Sequence, residues 1–187
     1  MRLFIALDFP EDVRLALRDL LAQLRPTCRS ARWVRPEAMH ITLKFIGETT
    51  PKELDSIRGA LVRVHSDRPV EMRFRGLGFF PNERRPRVIW CGVEASKNLA
   101  QLAASVESAL EPLGVAPELR AFVPHLTLAR IQSPEGINEL VLAANELKSN
   151  DCGSARETEF HLFESILKPS GAEYKRLASY PFVKGAA

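Results

Sequence analysis

Cysteine is scarce in this sequence, with three residues among 187. Cys28, Cys91 and Cys152 are widely spaced and form no CxxC pair, so neither a disulfide framework nor a zinc ribbon is expected. The HExxH pattern, an aspartate cluster and the GxxxxGK[ST] loop are also absent, so we predict no metal, no cofactor and no use of ATP. A reducing compartment is the simplest interpretation, and we expect a cytoplasmic protein.

Long hydrophobic runs are missing too. The opening MRLFIALDFPED is apolar only briefly before it reaches Asp8 and Glu11, which is not typical of a signal peptide. No stretch approaches the length of a membrane span, so we expect no membrane partner. The charge excess is small, with 26 Lys and Arg against 23 Asp and Glu. A net charge of +3 permits a phosphate-bearing partner but does not require one.

What is present is an ordinary globular composition, 45% hydrophobic and 26% charged, which suits one domain or two small lobes. The hydrophobic periodicity and the turn residues predict strands and helices in a mixed order, typical of an α/β or α+β class. The predicted strands span residues 2–8, 33–34, 39–46, 70–80, 88–93, 122–131, 159–167 and 177–182, and the predicted helices span 10–25, 50–64, 96–110 and 137–147.

Two segments carry the same pattern about half a chain apart. The first is His40-Ile41-Thr42-Leu43 and the second is His125-Leu126-Thr127-Leu128, each with a proline shortly upstream. Both lie in predicted strands. This repeat indicates one strand used twice, once in each of two lobes.

Side chains alternate between the faces of a strand, so the His and Thr of each motif point the same way and the intervening apolar residues face the core. If the two strands face each other across a groove, two imidazoles and two hydroxyls converge there. One imidazole can take a proton from water while the other protonates a leaving oxygen. The hydroxyls can donate hydrogen bonds to phosphoryl oxygens. The residues alone do not decide which histidine takes which role.

A single His-x-Thr is a weak signal that arises by chance, and a lone histidine on an apolar strand is usually structural. Two copies inside matched strand patterns are far more specific. The repeat therefore favours a functional interpretation.

With its flanking segments, the chain resembles the 2H phosphoesterase superfamily. The segments RLFIALDFP, WVRPEAMHITLKFIGE, FFPNERRPRVIWCGV and FVPHLTLAR are most similar to the bacterial and archaeal RNA 2′,3′-cyclic phosphodiesterases, also known as 2′-5′ RNA ligases. The resemblance implies an α+β fold of two pseudo-symmetric lobes whose antiparallel sheets flank a central cleft, with helices outside. We expect residues 1–187 to form a single domain of two intertwined lobes.

The resemblance also implies an activity, the metal-independent hydrolysis of a 2′,3′-cyclic phosphate at an RNA end to a 2′-phosphomonoester. His40 would be the proton donor and His125 the proton acceptor, and the reverse reaction would give 2′-5′ ligation. Two alternatives stay open. One is a module that binds RNA ends or nucleotides without turnover, and the other is a different 2H reaction, such as opening ADP-ribose 1″,2″-cyclic phosphate.

Five further residues are candidate substrate contacts. Lys44 shares the parity of the first motif and would face the groove, and Phe45 could stack on the terminal base. Arg130 reaches the groove only if its strand ends or bulges near Ala129, and the family pattern supports it as a phosphate or base contact. Arg84 and Arg85 could hold the RNA backbone by charge. We expect a monomer acting on RNA or an oligonucleotide.

Overall fold

The computed structural model describes residues 1–169 and 171–182. Strands and helices are mixed along the chain and lie at β1 (Arg2–Leu7), α1 (Glu11–Leu24), β2 (Arg32–Trp33), β3 (Ile41–Glu48), α2 (Pro51–Leu61), β4 (Val70–Phe80), β5 (Val88–Ala95), α3 (Asn98–Leu110), β6 (His125–Arg130), α4 (Ile137–Glu146), β7 (Asp151–Glu157), β8 (Glu159–Lys168) and β9 (Gly171–Pro181). No helix within the described ranges is long and apolar enough to cross a membrane.

The strands form two antiparallel sheets. Sheet 1 has the order β3-β1-β8-β9 and sheet 2 the order β2-β6-β5-β4-β7. The unit β1-α1-β3 pairs its two strands directly, and the unit β5-α3-β6 does the same in the other sheet. The chain then returns to sheet 1 through β8 and β9. The antiparallel pairing throughout confirms the α+β class.

Local sequence explains the helices. Thr50 caps α2: its hydroxyl accepts from the Glu53 amide at 3.4 Å, and the Glu53 carboxylate accepts from the Thr50 amide at 2.7 Å. This capping box satisfies two of the amides that every helix start leaves free. Helix α1 buries a stripe of branched aliphatic residues spaced three and four apart, which is its core-facing side: Val13, Leu17, Leu20, Leu21 and Leu24.

Alternation in β1 divides sheet 1 into two faces. Leu3, Ile5 and Leu7 belong to the main core under the helices. Phe4 and Ala6 point the other way and, with Phe163 of β8, form a separate small apolar cluster. Sheet 1 therefore has a second face, away from the main core, that is available for chemistry.

A β-bulge lies at the last residue of each motif, Leu43 and Leu128. In the β1–β3 ladder Ala6 pairs with Thr42 and Ile5 pairs with Lys44, so one extra residue is inserted between the two rungs. In the β5–β6 ladder Trp90 pairs with Thr127 and Ile89 pairs with Ala129, which inserts an extra residue at the equivalent place. Each bulge exchanges the faces of the residues that follow it.

The predicted elements match the observed ones except at the C-terminal end. The sequence pattern does not predict strand β7, because DCGSARE buries only Cys152 and Ala155 and lies at the edge of sheet 2. The last strand begins at Gly171 rather than Leu177, although its position at a sheet edge is as expected.

Candidate active site

His40 immediately precedes β3, and its ring is fixed by the backbone. Its Nδ1 lies 3.0 Å from the carbonyl oxygen of Ala38. A carbonyl can only accept, so Nδ1 carries the proton and donates it. In the neutral ring Nε2 is then an unprotonated acceptor, directed away from the backbone.

The His40 ring sits in an aromatic setting. Its centroid lies 4.6 Å from Phe4 and 5.0 Å from Tyr174, which meets it edge-on. Phe163 stacks on Phe4 at 5.2 Å behind them. Burial among these rings lowers the pKa of His40 from 6.5 to about 4, while the Ala38 carbonyl and the Asp8 carboxylate act in the opposite direction. The free protein therefore holds His40 neutral at pH 7.

A charged clamp positions the turn before His40. The Arg14 guanidinium donates to the carbonyl oxygens of Pro36 at 2.6 Å and Met39 at 3.3 Å, and to the Asp8 carboxylate. Asp8 also accepts from Arg176 of β9 at 2.7 Å. Met39 adjoins His40. These contacts from α1, β9 and the residue after β1 therefore fix the position of the His40 backbone.

His125 opens β6 and repeats the arrangement of His40. Its Nδ1 lies 2.8 Å from the carbonyl oxygen of Val123, again two residues upstream. Phe80 of β4 meets its ring edge-on at 5.0 Å. The same argument gives a protonated Nδ1 and a free Nε2. Both motifs thus present the same nitrogen.

The motif threonines lie on the faces of the histidines. Thr42 and Thr127 are half-buried, whereas Ile41, Leu126 and Leu128 are buried in the main core. Thr42 pairs with Ala6 of the small apolar cluster, and Thr127 pairs with Trp90 on sheet 2. The alternation expected from the sequence is therefore present in both strands.

The bulges bring Phe45 and Arg130 to those same faces. Phe45 pairs with Phe4, with ring centroids 6.1 Å apart, and its side chain is 63% exposed. Arg130 is exposed and pairs with Val88, which shares its parity with Trp90 and so the face of Thr127. The bulge on which the Arg130 prediction depended is present. Phe45 and Arg130 occupy equivalent positions in the two repeats.

The prediction that Lys44 faces the groove is wrong. The first bulge turns Lys44 to the core side of β3, opposite Ile5, and leaves it 5% exposed. Its Nζ donates to Glu107 of α3 at 2.6 Å and to the carbonyl oxygen of Ala116 at 2.6 Å. A lysine with these partners is not available to a phosphate on the motif face.

Arg84 and Arg85 lie exposed in the loop between β4 and β5, where Asn82 accepts hydrogen bonds from both of their backbone amides. The end of this loop joins the end of β6, since the Ile131 amide donates to the Arg87 carbonyl at 2.9 Å. The loop therefore lies at the Arg130 end of sheet 2.

Sequence reasoning missed several residues that surround the site. Arg32 is paired with Arg130 through β2, a two-residue strand whose partner no local pattern indicates. Tyr174 reaches His40 because β9 begins earlier than predicted. Arg14 reads as an ordinary polar position of an amphipathic helix, and its clamp depends on long-range contacts.

A third histidine, His161, lies on the motif face of sheet 1, across Ala6 from Thr42. It pairs with Ala6, is 2% exposed, and its Nδ1 lies 2.9 Å from the Ser179 hydroxyl. Burial lowers its pKa. Nearby, burial followed by the Asp8 and Glu159 charges raises the pKa of Glu157 to about 7. These groups are part of the electrostatic surroundings of Asp8.

Within residues 1–169 and 171–182, no group of three or more His, Cys, Asp or Glu side chains is placed to hold a metal ion. The side chains that the two motifs and their bulges present are imidazole, hydroxyl, phenyl and guanidinium groups. The polar members of this set suit the acid–base cleavage of a phosphate ester.

The sequence is similar to known phosphoesterases over most of its length. The family model "LigT like Phosphoesterase" matches residues 7–90 and 92–174. A protein of Methanothermobacter thermautotrophicus named RNA 2′,3′-cyclic phosphodiesterase is 36% identical over 180 residues, covering 93% of this chain and 95% of that one. A protein of the same name from Archaeoglobus fulgidus is 35% identical, covering 95% and 98%.

Solved structures share this fold over nearly the whole chain. The crystal structure of TT0787 from Thermus thermophilus matches with a TM-score of 0.81 at 32% identity, covering 97% of this chain and 98% of that one. The structure of E. coli LigT complexed with 3′-AMP matches with a TM-score of 0.77 at 25% identity, covering 98% of both chains.

Fold and paired motifs thus define the class as an α+β phosphoesterase with two histidines. The chain belongs to the LigT-like phosphoesterase family. The resemblance seen in the sequence and the prediction of a phosphoesterase are confirmed.

Proposed function

We propose that this protein hydrolyses the 2′,3′-cyclic phosphate at the end of an RNA to a 2′-phosphomonoester, with His40 and His125 acting on one phosphate. The observation that carries the proposal is the repeated geometry, in which each histidine donates Nδ1 to a carbonyl two residues upstream and leaves Nε2 free. Curated relatives that match 93% and 95% of this chain bear the name of this activity.

The step is an in-line displacement at phosphorus. His125 takes a proton from water as the water oxygen bonds to phosphorus, the bond to the ribose 3′-oxygen breaks, and His40 gives its proton to that oxygen. Thr42 and Thr127 donate hydrogen bonds to the non-bridging oxygens, where negative charge accumulates. The 2′-ester bond stays intact, so the product is the 2′-monophosphate. The same displacement, with a ribose 5′-hydroxyl in place of water as the nucleophile and the bond to the 3′-oxygen again breaking, would give 2′-5′ ligation.

His40 can donate only if it is protonated, and burial keeps it neutral in the free protein. The phosphodiester supplies the missing charge, because an anion at hydrogen-bond distance favours the imidazolium. Substrate and proton would therefore bind together at His40. Because of this coupling, His40 can act as an acid only while the substrate is bound.

The equivalent positions after the two bulges serve different parts of the substrate. Phe45, exposed beside Phe4, offers a face on which the terminal base stacks. Arg130 offers a planar fork to the phosphate. Arg84 and Arg85 hold the preceding RNA backbone by charge, together with Arg32 beside Arg130. Within the described residues, every ion pair between an arginine and a carboxylate is formed by an arginine other than these four.

The proposal is tested by incubating the protein with an oligonucleotide that ends in a 2′,3′-cyclic phosphate. We expect ring opening that persists in a chelator, since the mechanism uses no metal, and that is lost in His40→Ala and His125→Ala. Binding without product would instead support an RNA-end binding module. Preference for ADP-ribose 1″,2″-cyclic phosphate would support the other 2H reaction. We further propose that the active form is a cytoplasmic monomer, which sedimentation and fractionation can test.

A further inference from the structure

Lys44 joins three elements through one buried cation. Its Nζ contacts Glu107 of α3 and the Ala116 carbonyl, each at 2.6 Å. The same Glu107 oxygen accepts the backbone amide of Glu118 at 3.0 Å. The strand that carries the first motif is thus tied to the segment that leads into the second motif.

That segment, residues 115–124, has no helix or strand of its own and is largely exposed, with Leu119 at 93%. It ends next to His125, and the Val123 carbonyl within it orients the His125 ring. A segment with so little packing takes its position from its anchors. The Lys44–Glu107 pair holds it at Ala116 and Glu118.

The repeat shows that the strand itself does not require a lysine at this place. Lys44 is the second residue after Thr42, and its equivalent after Thr127 is Ala129, which is fully buried. A methyl group therefore packs at this position in the second repeat. Burying the Lys44 ammonium against the partly exposed Glu107 carboxylate costs desolvation that the pair only partly repays. The charge at Lys44 needs an explanation other than packing.

We propose that Lys44 and Glu107 are positioning residues that fix the segment 115–124 and, through it, the orientation of His125 relative to the first motif. The catalytic meaning of this inference rests on the proposed function. The anchoring itself does not.

Lys44→Met and Glu107→Gln test the proposal, together with Lys44→Met/Glu107→Met, which removes both charges and leaves no buried ion unpaired. Lys168→Met is the matched control, because its ion pair with Glu173 has the same 2.6 Å separation. Hydrogen–deuterium exchange of the whole protein should show the Glu118 amide within 115–124, which donates to Glu107, exchanging about tenfold faster in the three test variants, with β5 unchanged. For a cyclic nucleotide, kcat should fall by up to about 100-fold while KM stays within about twofold.

Unchanged exchange in 115–124 would overturn the proposal, as would faster exchange spread evenly over β3, α3 and β5. A rise in KM at constant kcat would also overturn it, since that pattern belongs to a substrate contact. If the wild-type protein opens no cyclic phosphate, the proposed function fails, and the exchange measurement still decides the anchoring. The double variant answers the question if either single variant fails to fold.

Discussion

His40 should gain its proton when the substrate binds. In the free protein burial lowers the pKa of His40 from 6.5 to about 4. That difference corresponds to about 3 kcal/mol in favour of the neutral ring. A proton donor at neutral pH therefore requires the ligand to supply a comparable free energy.

A cyclic phosphate can supply it. Two unit charges 4 Å apart interact by about 4 kcal/mol at the effective dielectric near a protein surface. An anion at Nε2 would thus offset the burial and bring the pKa of His40 above about 6. At neutral pH the bound imidazole is then protonated for an appreciable fraction of the time, whereas the free imidazole carries almost no proton.

NMR of isotope-labelled histidine measures this directly. The His125→Ala variant is titrated alone and with adenosine 2′,3′-cyclic phosphate, whose diester keeps the same charge across the titration. We expect a His40 pKa of about 4 without the nucleotide and above about 6 with it. In wild-type kinetics the pH optimum of kcat should lie above that of kcat/KM.

A His40 pKa that stays near 4 in the complex would refute the reasoning. His40 would then be the acceptor, since its neutral ring has Nε2 unprotonated, and the roles of the two histidines would be exchanged. A free-protein pKa near the ordinary value of 6.5 would instead show that the aromatic setting does not desolvate the ring.

Three further predictions follow from the same structure. Burial raises the pKa of Glu157 from its ordinary 4.5 to about 7, so the free energy of unfolding falls as pH rises between these two values. Glu157→Gln should raise the free energy of unfolding at pH ~8 by about 1 kcal/mol after solvent screening. An equal gain at pH ~4 would contradict this. Phe45→Ala should raise KM for an oligonucleotide about tenfold with kcat unchanged, while exposed Leu15→Ala as control should change neither. Arg130→Lys should lower kcat/KM about tenfold because the fork is lost, whereas Arg84→Gln should only reduce the slope of the salt dependence by about one.

Alternation alone predicted which motif residues share a face. His40 and Thr42 share a face because the strand is regular between them, and the same holds for His125 and Thr127. That inference needs only a period of two, which the apolar residues between them already indicate. It is local, and local patterns are what a sequence shows.

The faces of the residues beyond the motifs depend on β-bulges, which are harder to predict from a sequence. A bulge after Thr42 moves Lys44 to the core and Phe45 to the motif face, and the equivalent bulge does the same for Ala129 and Arg130. The family pattern supported Arg130 as a contact, which required the second strand to end or bulge near Ala129, and nothing comparable pointed to a bulge in the first strand. The position of a bulge is set by pairing with the neighbouring strand, and the sequence of the bulged strand alone does not reveal that partner.

Long-range pairing also explains what was missed entirely. Arg14 and Tyr174 reach the site, and Arg32 pairs with Arg130, from elements that are distant in sequence. Strand β7 escaped prediction because an edge strand with one partly buried face needs few apolar residues.

The most direct measurement of the central claim follows the water oxygen. An oligonucleotide with a 2′,3′-cyclic phosphate end is incubated in water labelled with oxygen-18, and the product is read by phosphorus-31 NMR and mass spectrometry. One labelled oxygen in a 2′-phosphomonoester, formed by the wild type and by neither His40→Ala nor His125→Ala, is the predicted result. Turnover at the wild-type rate in either variant, or a 3′-phosphomonoester as product, would contradict the account.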